Sequence, residues 1–479
     1  MMPEPDVKST ANRPYLGIFA LSMINVSAII SLRNLPLMAS HGLSSLFFYA
    51  VAGILFFIPC ALVCAELATG WPDRGGIYAW AKAGFGENAG FLAVWLEWTE
   101  SVVWLPTVLS FVAATVVYAL EDTLHLSTDL ETNKTFLMVC MMVVLWGLTF
   151  INFRGIETSS FVSSAGVILG TLFPGALLIG LGVTWWMSGK PIAMPLGTEF
   201  LMPHFEFNSV VFFTGVLLSF GGMEMASFHV QNAKDPQKSY PRAILLATLI
   251  IMVVSILGSL AVACVLPKEE ISLVSGLMQA FDAFFSASGF GGWTPWLAVL
   301  SVLGAVALLN TWIIGPSRGL LVSAEKGSLP KIFSRTNRKG VPVSILVAQG
   351  VISTLMASVF LMFDSVNQSY WLLSAMAAQL ILLMYILVFI SAIKLRYTHP
   401  DTPRSYKIPG GNFGMWLVAG TGTVISFFAF ILGFVPPAQF AVEDPWKYAL
   451  IQIAGITFFI VAPYLLKLCK LPRLCSATN

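Results

Sequence analysis

The chain has 479 residues, of which only 10% are charged and 57% are hydrophobic, and its mean hydropathy is +0.81. A soluble surface needs far more charge than this, so lipid is the expected solvent. A net charge of +2, with no long basic run, excludes a chain built to track a nucleic-acid backbone.

The opening segment MMPEPDVKSTANRP is polar and has no apolar core before Tyr15. It reads as a tail (residues 1–14) and not as a cleaved signal. Apolar runs long enough to cross a bilayer follow at Tyr15 to Ser40, Ser44 to Thr69, Phe91 to Leu120, Thr135 to Asn152, Ser159 to Met187 and Val210 to His229. Six more lie at Pro241 to Leu266, Trp293 to Gly315, Pro342 to Phe363, Tyr370 to Arg396, Met415 to Val435 and Trp446 to Leu468. The expected fold class is therefore all-α integral membrane, with twelve spans. Residues 15–396 form a ten-helix core, 397–468 carry the last two spans, and 469–479 form a second tail. The segment from Gly315 to Val341 reads as a tight connector, with or without a short helix, and Ile271 to Gly289 as an interfacial helix.

An even number of spans puts both termini on one side. Of the 26 Lys and Arg, all but Arg33 and four others (Lys134, Lys190, Lys268 and Lys447) fall on that same side. The bias predicts cytoplasmic termini, and the expected location is a bacterial inner membrane.

Ionisable groups within a span are costly and face the bundle interior or a water-filled path. Arg33 lies within the first span in IISLRNLP, where Ser31, Arg33 and Asn34 precede Pro36 and interrupt the apolar pattern. The sixth span carries a matching feature in SFGGMEMASFHV, with Gly221 and Gly222 loosening the helix just before Glu224. Were the first ten spans two five-helix halves of inverted topology, spans one and six would be symmetry mates, each interrupted near its middle. Such breaks offer free amides to a carboxylate and free carbonyls to an ammonium, which suits an amino acid and requires no cofactor. Glu224 is then a proton carrier, a contact to the substrate amine, or the partner that neutralises Arg33.

In the third span Glu97 and Glu100 stand at i and i+3 on one helix face, with Trp98 beside them. Glu97, Glu100 and Glu224 are the candidates for proton coupling. Asn310 and Trp312 in the eighth span and Tyr385 in the tenth complete the candidate lining. Cys60 and Cys64 sit one turn apart with no histidine near, which reads as helix packing and not as a metal site. The five histidines fall mostly in loops or at span ends, and no metallohydrolase, nucleophile-elbow or phosphate-loop pattern is present. An enzyme or an ATP-driven pump is thus not expected, and no catalytic residue or metal ligand is assigned.

Several linked motifs in order resemble the amino acid, polyamine and organocation transporter superfamily, and within it the glutamate/GABA antiporters. They are AELATGWPDRGGIYAWAKAGFG, GGMEMASFHVQNAKDPQKSYPRA, WIIGPSRGLLVSAEKGSLP, NRKGVPVS and THPDTPRSYKIPGG. The resemblance implies a LeuT-like 5+5 inverted repeat plus two C-terminal helices, with a site among spans one, three, six, eight and ten. It carries Glu224, Trp312 and Tyr385 over as pathway-lining positions. Three departures argue against acid-gated glutamate/GABA exchange: Arg33 in the first-span break, Leu308 where that exchanger has a glutamate, and a chain that stops at Asn479 without its C-terminal plug.

The expected function is secondary active transport of an amino acid by alternating access, through antiport or proton symport. A transporter-fold nutrient sensor and a polyamine or organic-cation carrier are the alternatives, the latter disfavoured by repulsion from Arg33. The partners expected are a small amino acid and the lipid bilayer, with no nucleic acid; monomer and homodimer both stay open.

Overall fold

The computed structural model describes residues 17–73, 75–124, 130, 133–154, 166–202, 207–225, 227, 235–363, 365–436 and 445–468. Both predicted tails, the start of the fifth span, and most of the sixth span after Met225, His229 included, lie outside them. Among the described residues all regular secondary structure is helical, and ten helices are long and apolar enough to cross a membrane. An eleventh span is a bent pair.

That pair is α1 (Ile18–Ile29) and α2 (Leu35–Ala39), joined by a tight turn at Leu32–Asn34 and bent by 42°. Ile30 and Ser31 are extended, and Ile30 N–H donates the last helical bond back to Val26. Pro36 occupies the first turn of α2, where its missing N–H costs nothing. The sequence thus stops one helix and starts another within a single crossing.

Next come α3 (Gly42–Gly70), the short α4 (Ile77–Phe85), α5 (Glu87–Leu124) and α6 (Lys134–Asn152). They are followed by α7 (Ile168–Met187) and α8 (Phe207–Ser219). At 13 residues, about 20 Å, α8 is too short to cross alone. It ends at Phe220–Gly222, where Gly222 adopts φ +115°, a conformation open only to glycine.

The remaining helices are α9 (Pro236–Val265), α10 (Gly276–Ser286) and α11 (Thr294–Glu325), then α12 (Val343–Met362), α13 (Val366–Thr398), α14 (Gly411–Leu432) and α15 (Pro445–Leu468). The expected helix between Ile271 and Gly289 is α10, with Leu277, Met278, Phe281 and Phe284 buried. The expected connector from Gly315 is corrected: α11 continues through Gly315 and Pro316 to Glu325. Pro316 removes one helical donor, and the next residue, Ser317, places its Oγ 2.7 Å from the Ile313 carbonyl oxygen.

Three helices form the centre. The apolar windows of α5, α13 and α11 are 89%, 78% and 61% buried, whereas that of α15 is only 22% buried and faces lipid. In lipid, packing and not water exclusion joins helices, so small residues set how closely they approach. Gly170 of α7 and Gly304 of α11 lie backbone to backbone, and a Cβ on either would overlap the other. Gly304→Val is expected to destabilise by about 1–3 kcal/mol or more, because backbone cannot yield as a side chain does. Gly180→Ala on the open face of α7, where a Cβ meets nothing, is expected to be neutral or stabilising. Thermal melting of the two purified variants checks the pair.

Candidate functional site

The interruption in the first span faces the end of α8. A Cβ built on Gly222 would lie 3.2 Å from the Ile29 side chain, 3.4 Å from the Ala28 carbonyl oxygen and 3.2 Å from the Trp312 ring. The end of α1 is held from α11, because Trp312 Nε1 donates to the Ala28 carbonyl at 2.9 Å. The end of α8 is held from α13. There Tyr385 Oη accepts from the Gly222 N–H at 2.8 Å and donates to Glu224 Oε2. Backbone groups freed by the breaks are thus caught by one tryptophan and one tyrosine from the rigid centre.

Arg33 is 1% exposed. Its Nη1 donates to the Tyr370 hydroxyl of α13, and its guanidinium lies over the Trp104 ring (5.0 Å to the centroid) and the Tyr370 ring (5.3 Å). Nε has no hydrogen-bond partner, and no carboxylate forms an ion pair with Arg33 among the described residues. The Trp104 ring in turn sits 5.3 Å from that of Trp312. Arg33 therefore belongs to the same contiguous cluster as the breaks.

Of the alternatives open for Glu224, an ion pair with Arg33 is not present among the described residues. Arg33 is held at Tyr370 and Glu224 at Tyr385. These two tyrosines lie on one helix about four turns, or about 20 Å, apart. Arg33 accordingly stands nearer the Val366 end of α13 than a mid-span position.

Glu97, Glu100 and Glu224 are all fully buried, and both oxygens of Glu97, Oε2 of Glu100 and Oε1 of Glu224 lack hydrogen-bond partners. Unsatisfied buried carboxylate oxygens are expensive and mark places where a proton or ligand does work. Glu97 interacts electrostatically with both other acids. Cys60 and Cys64 of α3 are buried free thiols within reach of the Glu224 field.

Ser31 and Asn34 are half-buried in the break, and Gly221 packs on Ile381 of α13. Two further expected residues make contacts between or along helices. Asn310 accepts from Asn152 Nδ2 of α6 at 2.9 Å, a bond between helices. Trp98 is buried against the Trp95 ring at 5.4 Å, and Trp95 Nε1 donates to the Phe459 carbonyl of α15, so this pair faces the last helix.

Sequence reasoning gave Tyr370 no role, although its spacing from Tyr385 puts both on nearly one face of α13. It also left Glu66 as one letter of AELATG. Glu66 is fully buried and accepts from Arg396 Nε (2.5 Å) and Nη2 (2.6 Å), Arg404 Nη1 (2.7 Å) and Ile408 N–H (2.8 Å). Arg404 Nη2 also donates to the Leu395 and His399 carbonyls, and its guanidinium covers the Trp71 ring at 5.0 Å. This cluster fastens the end of α3 to the end of α13 and to the 400–411 loop. It gives physical content to two motifs that lie far apart in sequence. The rest of the Glu66 motif, IYAWAKAGFG, forms α4 and its end, where Tyr78 donates to Glu87 and Lys326 of the α11–α12 connector covers the Tyr78 ring.

Residues 16–459 match the family model described as amino acid permease. An uncharacterized transporter of Legionella pneumophila is 43% identical over 97% of this chain and 99% of its own length. A glutamate/gamma-aminobutyrate antiporter of Lactococcus lactis is 29% identical, with 95% of this chain and 90% of that protein covered. A probable agmatine/putrescine antiporter of the same species is 23% identical over 90% of each. With a match that runs through nearly every helix described above, the chain belongs to the amino acid permease family and is a multi-pass membrane transporter.

Proposed function

We propose that the protein is a secondary transporter of acidic amino acids, working by antiport or proton symport through alternating access. The observation that carries this reading is a buried Arg33 that forms no ion pair with a carboxylate among the described residues, in one cluster with the first-span break and the end of α8 that faces it. The α-carboxylate and ammonium sit at the two breaks, facing the dipoles of the helix ends there. The side-chain carboxylate reaches toward Arg33 between Trp104 and Tyr370, where a bidentate fork suits it. The similarity to a glutamate/gamma-aminobutyrate antiporter supports the same substrate class. The full arrangement in this reading is twelve spans in a 5+5 inverted repeat plus two, with both termini and the Glu66 cluster on the cytoplasmic side of an inner membrane.

Counterflow by the purified protein in liposomes tests the substrate class. Labelled glutamate or aspartate should accumulate against unlabelled internal substrate, and lysine or putrescine should not. Accumulation of the cations with no response to the acids would overturn the reading.

Glu224 serves as the proton carrier in this mechanism. Glu224→Gln keeps an oxygen for the Tyr385 hydroxyl, at a cost of about 1 kcal/mol in hydrogen-bond strength, but cannot exchange a proton. Exchange is expected to persist with a flat pH profile; a profile that tracks the wild type would remove Glu224 from the role.

A further inference from the structure

On the lipid-facing side of the molecule, away from the breaks, a cleft of about 400 Å³ runs between α13 and α14. Ile390, Ile393 and Lys394 line one wall; Trp416, Gly420, Thr423 and Val424 line the other. The second set recurs at four, seven and eight residues and so forms a single face, about 12 Å long. A π-helical turn at Trp416–Gly420 widens the helix where the cleft begins, and Gly420 has no side chain to fill it. Trp416 is 53% exposed and Val424 70% exposed, so the protein itself does not cover this face.

The end of the cleft beside the Glu66 cluster has the chemistry of a membrane interface. Trp416 Nε1 donates to the Tyr397 hydroxyl at 3.0 Å, a pair of amphipathic rings of the kind that sits at headgroup level. Lys394 stands beside it, exposed, with its ammonium 4.2 Å from the centroid of the Phe85 ring. No carboxylate pairs with Lys394 among the described residues. Arg396, two residues on, is already committed to Glu66. A cation at the mouth of an apolar slot calls for an occupant with an anion at one end and a hydrocarbon chain behind it.

We propose that this cleft binds one anionic phospholipid, its phosphate held by Lys394 and one acyl chain lying along Gly420 between α13 and α14. A second copy of the chain fits less well. A two-fold contact centred here would bring the two Lys394 ammonium groups together, and like charges repel.

Native mass spectrometry of the detergent-purified protein tests this, with phosphatidylglycerol and phosphatidylcholine of identical acyl chains as the probes. The wild type should retain one phosphatidylglycerol, with about fivefold preference over phosphatidylcholine, as one lysine at an anionic surface provides. Lys394→Gln should bring the two lipids to parity. Gly420→Leu, which fills the slot without touching charge, should lower retention of both. Lys331→Gln, at an exposed lysine on the α11–α12 connector, should leave the preference intact and control for general charge. Undiminished preference in Lys394→Gln would overturn the proposal. So would equal retention by Gly420→Leu and wild type, or a lipid-free dimer that dissociates on the Gly420→Leu change.

Discussion

Arg33→Ala is expected to reduce uptake of acidic amino acids at least about thirtyfold, corresponding to the roughly 2–5 kcal/mol lost when one partner of a buried, hydrogen-bonded charge pair is removed. The reason lies in what surrounds the guanidinium. Tyr370 and two aromatic faces hold it in place, yet none of these neutralises it, and Nε is left without an acceptor. A substrate carboxylate supplies both the charge and the missing acceptor. Arg33→Lys keeps the charge but loses the planar fork and its stacking on Trp104, so it should fall between wild type and alanine, chiefly through KM. Uptake into liposomes by equal amounts of each protein checks the series. Equal rates in all three would take Arg33 out of the site.

Glu66→Ala should be the most destabilising single change in the molecule. Removing the carboxylate leaves Arg396 and Arg404 facing each other in a buried pocket without a counter-charge, a situation that costs about 3–5 kcal/mol. The same change releases the Ile408 N–H and so frees the 400–411 loop from α3. Much of the loss is the penalty of the orphaned cations and not the worth of the pairs. The double variant Glu66→Ala/Arg404→Leu should therefore recover part of it. Melting temperatures of the single and double variants decide the point: a single variant as stable as wild type would show that the cluster holds nothing together.

The long apolar runs were legible because lipid imposes one rule: backbone polar groups must be satisfied within the segment. The break in the first span was legible for the same reason. Ser31, Arg33, Asn34 and Pro36 interrupt apolar patterning at a depth where nothing else explains them, and the backbone is extended at Ile30–Ser31. The glycine pair at 221–222 also marks its break. What the sequence left hidden are partners across the bundle. Nothing along the chain says that Arg33 meets Tyr370 while Glu224 meets Tyr385, since that depends on how far each half-helix slides along α13. The same holds for Glu66, whose two arginines lie more than three hundred positions away. Asn310 and Trp98 make contacts that were hidden for a related reason: a polar or aromatic side chain on a central helix serves an interhelical contact as readily as a pathway, and periodicity does not separate the two. Helix ends were also unreadable at GPSRG, where the helix runs on through Pro316 to Glu325.

Side-selective labelling at the first break measures the core of the mechanism. In a variant with the native cysteines replaced, Ser31→Cys places a thiol at a half-buried position of the interruption, next to Leu32 and Arg33. In reconstituted protein a water-borne maleimide should modify this thiol, and added glutamate should slow the modification in step with its occupancy of the transport site. A thiol that never reacts from either side, or reacts at a rate indifferent to every amino acid the protein carries, would contradict a substrate path running between the two broken helices.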